Sequence, residues 1–160
     1  MLANRFIYHL HSPRRGDIVV FHAPAAADRA GCAERGDTFV KRVIGLPGER
    51  VREDARGAIW IDGHRLNEPY IEARRRLSDR AYRGRTWRVS PHAYFVIGDN
   101  RGDSCDSRAW GAVPQRELIG NVFAMYWPPD RISANLLVAA GVVALVALLV
   151  AYVRRRRRPD

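Results

Sequence analysis

The stretch TFVKRVI, residues 38–44, decides the fold class. Five of its seven residues are β-branched or aromatic, types that fit a pleated, half-buried surface, so it reads as a strand. Side chains alternate across a strand, which sets Phe39, Lys41 and Val43 on one face and Val40, Arg42 and Ile44 on the other. Lys41 is then an ammonium between two apolar neighbours, with cationic Arg42 beside it in sequence. Both conditions disfavour the charged form and lower the amine toward the range of a general base. Composition sharpens this reading, because Lys41 is the only lysine among 27 lysines and arginines. Guanidinium keeps its proton at any workable pH, so this chain has one long basic side chain that can lose it. A leftover surface lysine is the plainer alternative. The choice rests on whether that face of the strand is covered.

Outward from this stretch the pattern stays mainly β. Further strands are expected at 17–21, 58–61, 65–66, 94–97 and 121–127. Asp62-Gly63 between IWI and HRL marks a two-residue hairpin. Leu46-Pro47-Gly48 and Gly98-Asp99-Asn100 read as turns. Residues 22–36 and the arginine-rich 72–88 read as loops, the latter with room for a short helix. Pro128-Pro129-Asp130 closes a globular part, residues 1–130.

Beyond it the composition changes. Residues 136–153 carry no charge, and 154–158 are all arginine. Such a run spans a hydrocarbon core of about 30 Å at about 1.5 Å per residue, so a transmembrane helix is expected over 134–153 with a basic cytoplasmic tail at 154–160. The net charge of +10 draws on that tail and on the arginines of 74–88. A solvated arginine-rich loop beside lipid headgroups accounts for the second cluster without nucleic acid. A hydrophobic content of 47% excludes wholesale disorder.

Several motif matches carry nothing. RGD at 15–17 and 101–103 is a chance tripeptide in an arginine-rich chain. Asp99, Asp103 and Asp106 fail the calcium-loop spacing, since Arg101 takes a ligand position. The five histidines lack a helical metal-ligand spacing, and Cys32 and Cys105 form no CxxC pair. No metal and no other cofactor is expected.

Four segments in order carry a family resemblance: RGDIVVF at 15–21, FVKRVIGLPGE at 39–49, NEPYI at 67–71 after the hairpin, and GDNRGDSCDSRAWG at 98–111. Together, over residues 4–127, they resemble the bacterial type I signal peptidases, serine endopeptidases with a Ser–Lys dyad and a fold of antiparallel β-sheets with hairpins. The resemblance implies that Lys41 is the general base and that the Ser104 hydroxyl orients its amine. It makes Asp106 and Arg108 ion-paired supports of the site, and Arg42, Asp99, Asn100 and Arg101 motif positions with structural roles. Read alone, Ser104, Asp106 and Arg108 suggest only turn chemistry. The implied substrates are exported preproteins with small residues before the cut, bound as extended strands.

One departure is plain. The family's nucleophile lies in Ser-Met-x-Pro, upstream of the segment matching LANRFIY at 2–8. None of the six serines, Ser12, Ser78, Ser90, Ser104, Ser107 and Ser133, is followed by Met. The chain is therefore expected to lack an N-terminal segment bearing nucleophile and first anchor, and to be inactive as written. Such an anchor also resolves the topology, because residues 1–30 hold no apolar signal while the arginine tail places the globular part outside the cell membrane. In that oxidising compartment two cysteines favour pairing, and the resemblance sets Cys105 beside the lysine site, so a Cys32–Cys105 disulfide is expected. Two rival readings are a catalytically inactive relative that binds exported chains, and a basic membrane-surface or nucleic-acid-binding protein. The favoured reading expects lipids and preproteins as partners, and no nucleic acid.

Overall fold

The computed structural model describes residues 2–4, 8, 11–34, 36–72 and 82–124. Ala3–Val122 forms one compact unit; the other, Met1–Leu2 with Phe123–Asp160, lies almost wholly outside the described residues. So do the expected transmembrane helix at 134–153, the basic tail and most of the arginine cluster. No helix among the described residues is long and apolar enough to cross a membrane.

Among the described residues ten strands build two sheets: β1 (Leu2–Asn4), β2 (Ile18–His22), β3 (Thr38–Gly45), β4 (Arg50–Glu53), β5 (Ile59–Ile61), β6 (His64–Arg65), β7 (Thr86–Arg88), β8 (Ala93–Ile97), β9 (Val113–Pro114) and β10 (Leu118–Ala124). The described residues also form two short helices, α1 (Ala25–Arg29) and α2 (Ser107–Trp110), and a 3₁₀ turn at Gln115–Glu117. The larger sheet runs β1-β10-β2-β3-β8-β9 and the smaller β6-β5-β4-β7. Every pairing with a defined register is antiparallel.

Period-2 alternation sorts side chains into two cores. Val19 and Phe21 of β2, Val43 of β3, and Tyr94 and Val96 of β8 join Ala27, Trp110 and Val113 in the first. Ile44, the next residue of β3, falls in the second with Val51, Ile59, Ile61, Val89, Ala93, Phe95 and Ile97. All five residues of β8 are buried, because each of its faces covers a core. Pairing of β3 with β8 shifts register between Val43 and Gly45, where the chain leaves one sheet for the other. At Gly45 a Cβ would sit 2.6 Å from Val51 Cγ2 and 2.9 Å from Phe95 Cβ, so this crossing needs a residue without a side chain. The β5–β6 hairpin turns at Asp62 and Gly63 with φ of 48° and 87°, the double positive φ that an Asp-Gly turn favours.

The structure corrects three expectations. Residues 22–36 are not all loop: AAADR forms α1, because alanine is the best helix former and Pro24 and Gly31 delimit it. Residues 72–88 include strand β7, paired with β4. Strand β4 escaped notice because RVRE reads as charged surface, yet its alternate residues Val51 and Glu53 are both fully buried. Strand β10 begins at Leu118 rather than 121, and 125–127 lie outside the described residues.

Candidate active site

The site lies where β3 meets the turn after β8. Strand β3 pairs with β2 through Lys41↔Val19 and presents Lys41 on the face of Phe39 and Val43. The Lys41 amine donates to Ser104 Oγ at 3.0 Å and lies 5.5 Å from the centre of the Phe39 ring, which stacks on Trp110. Burial lowers the Lys41 pKa below the ordinary lysine value; Asp106 opposes this, Arg108 assists it and Asp103 opposes it. The expected depression is therefore present, but the assisting cation is not Arg42. Arg42 points to the opposite face and is neutralised there.

Ser104 is held against the backbone of Gly98. A Cβ on Gly98 would lie 2.7 Å from Ser104 Cβ and 3.6 Å from Lys41 Cδ, so a bare backbone at this turn lets the two side chains meet. The turn is pinned from several directions. Asp106 caps α2, accepting from Arg108 N at 3.1 Å, and also accepts from Gly98 N at 3.1 Å. The Arg108 guanidinium clasps the same carboxylate through Nε and Nη2, both at 2.9 Å, and donates to Arg101 O at 2.9 Å. Its Nη1 reaches fully buried Glu53 of β4 at 3.5 Å, so the smaller sheet supports the site through this arginine. Its pKa is raised by Asp106 and Glu53 although burial opposes that.

Arg101 is buried, donates to Gly98 O at 3.2 Å, and pairs with the Glu68 carboxylate through both terminal nitrogens. Glu68 also accepts from the Tyr70 hydroxyl at 2.9 Å. Tyr70 in turn lies under the Arg42 guanidinium, 4.0 Å from its ring centre. Arg42 is bidentate to Asp99, at 2.9 and 2.7 Å, and donates to Gly16 O at 2.8 Å. Asn100 contributes its carbonyl, which accepts from Asp103 N at 3.2 Å. Cys32 and Cys105 are joined as a disulfide with Cα atoms 5.9 Å apart, so every site residue singled out in the sequence lies in this one region.

Sequence reasoning missed Glu53, Glu68, Tyr70, Gly98 and Ser107 as contributors. Ser107 Oγ accepts from Val96 N at 3.0 Å, satisfying a strand amide beyond the two residues at which β9 pairs with β8. Glu68 and Tyr70 had a signal, since NEPYI is one of the four segments of the resemblance. Glu53 had none, because a glutamate in RVRE looks solvated.

A family model described as signal peptidase, peptidase S26, matches residues 1–127. Over 133 residues the chain is 39% identical to a signal peptidase I of Leptolyngbya laminosa, a match covering 83% of this chain and 62% of that protein. It is 38% identical over 133 residues to a probable signal peptidase I-2 of Synechocystis sp., covering 83% of this chain and 57% of that one. The chain thus spans about three fifths of the length of these curated relatives. Its structure is similar to the crystal structure of a signal peptidase I from Enterococcus faecalis, with a TM-score of 0.54 and 30% identity over 70% of this chain and 97% of that one.

Proposed function

The chain belongs to the S26 family of signal peptidases, and we propose that it forms the globular part of a signal peptidase I-type serine endopeptidase that removes signal peptides from exported preproteins. The observation that carries this reading is the 3.0 Å contact between the lone lysine amine and Ser104, at the positions where the family motifs set base and orienting hydroxyl.

In the proposed mechanism a serine hydroxyl attacks the scissile carbonyl while neutral Lys41 accepts its proton. The same ammonium then protonates the leaving amine, and the freed amine activates water for deacylation. Ser104 fixes the direction of the Lys41 lone pair. Asp106 and Arg108 hold the turn that carries Ser104, while Arg42, Asp99, Asn100 and Arg101 hold its other side. The nucleophile is proposed to lie outside residues 1–160, since no serine within them stands before Met. Residues 134–153 are proposed to anchor the domain on the outer face of the cell membrane, with 154–160 in the cytoplasm.

The test is direct. The purified 160-residue chain should leave a preprotein uncut, and joining a segment with Ser-Met-x-Pro ahead of residue 2 should confer cleavage at the signal-peptide junction. Robust cleavage by the 160-residue chain would overturn the dyad assignment.

A further inference from the structure

Cys105 follows Ser104 directly, so the Cys32–Cys105 bridge ends one residue from the hydroxyl that receives the Lys41 amine. We propose that this bridge is a thiol–disulfide exchange site through which an external dithiol controls the contact between Lys41 and Ser104.

Both cysteines are only partly buried, at the margin of the first core. The Cys32 end is firmly seated. Its N–H donates to Ala27 O at 2.9 Å, and Ala27 is fully buried in the core that also carries Val43. On the Cys105 side, Asp106 is buried and held by Gly98 N and Arg108. Gly102 and Asp103, by contrast, are exposed, and the Asp103 amide bonds within its own turn to Asn100. Ser104 lies between these regimes, against the bare backbone of Gly98. The bridge is a covalent tie pressing this stretch onto a separate, well-packed part of the chain. Opening it removes that tie and leaves Ser104 joined to the exposed turn at Gly102 and Asp103.

The reduction balances with the dithiol as its only co-reactant. A thiolate of the dithiol attacks one bridge sulfur, forms a mixed disulfide and releases the other cysteine as thiolate. The second thiol of the dithiol then displaces the first, so the dithiol leaves oxidised and two electrons and two protons remain on Cys32 and Cys105. The chain has no third cysteine, so the reductant is an external dithiol and the reoxidant an external disulfide, which recloses the bridge by the reverse exchange and leaves as a dithiol. The Cα separation of 5.9 Å lies within the range that allows reclosure.

This inference deepens the proposed reaction, but its test needs no catalysis. Because Lys41 is the only lysine, amine acylation followed by mass spectrometry reads that side chain against the α-amine alone. The charged groups facing Lys41 are Asp103, Asp106 and Arg108, and burial is the largest influence on its amine. Loosening residues 102–105 admits water and returns the amine toward its ordinary value. Dithiothreitol added to the detergent-purified chain should shift the pH midpoint of Lys41 acylation upward, and reoxidation should restore it. Cys32→Ser should show the shifted midpoint from the start and ignore dithiothreitol, with near-ultraviolet circular dichroism retained throughout. An unchanged midpoint on reduction overturns the proposal. So does loss of the near-ultraviolet signal, which would make the bridge a staple of the whole fold. A full midpoint response in a chain that cuts no preprotein once the serine segment is supplied would support the exchange site and sink the proposed reaction.

Discussion

At the scale of single residues, Lys41 concentrates the chemistry. In the chain supplied with a nucleophile, Lys41→Arg should abolish turnover while thermal unfolding stays cooperative, since arginine keeps charge and reach but cannot accept the proton. Ser104→Ala removes one orienting hydrogen bond worth about 0.5–1.5 kcal/mol, so kcat/KM should fall by roughly two- to tenfold. The pH dependence has a definite sign. Burial lowers the folded-state pKa of Lys41, and only the neutral amine is a base, so activity should rise with pH through that lowered value and ahead of ordinary lysine ionisation. Stability follows the same direction. Between the folded and unfolded pKa values the unfolded chain binds more protons, so this residue's contribution improves as pH rises across that window. Urea unfolding of the wild type and Lys41→Met across that window checks it, because the methionine variant should lose this slope. The lysine was legible from a count and an alternation. The cation acting on it was not, because Arg108 lies 67 positions away in sequence and reaches the site only through folding.

Among elements, β3 and β8 are the most legible and the most constrained. The apolar run of β8 announces burial on both faces and the alternation in β3 a half-buried strand, and both supply side chains to each core. Strands β4 and β7 were hidden because their exposed positions carry arginine and threonine, and in β4 the inward position opposite that pattern is a charged glutamate. Helix α2 is not legible in the sequence, since four residues give no periodicity and only the Asp106 cap betrays it. The crossing at Gly45 offers a test at this scale. Gly45→Ala should overpack the contact with Val51 and Phe95 and destabilise by about 1–3 kcal/mol. Adding Val51→Ala should return part of that loss, so the urea midpoint of the double variant should lie above the sum of the single effects.

For the molecule as a whole, the mainly β architecture was readable because the segments carry their own strand or turn chemistry, whereas the meeting of distant segments at one site was legible only through the family resemblance. How the chain crosses from one sheet to the other was not, since it depends on the register shift at Gly45. If residues 134–153 anchor the chain, it should stay with membranes through an alkaline wash and leave them in detergent, and removal of 134–160 should abolish that retention. The bridge has one more consequence, for chain continuity. Lys41 and Ser104 both fall between Cys32 and Cys105 in sequence. A protease cut between the lysine and the serine therefore leaves two fragments, each carrying one member of the pair, still fastened to each other beside the place where those members meet. Such a nicked molecule should migrate as one species without reductant and as two with it. Its amine and hydroxyl would be kept together by sulfur and by packing rather than by the peptide backbone that first joined them.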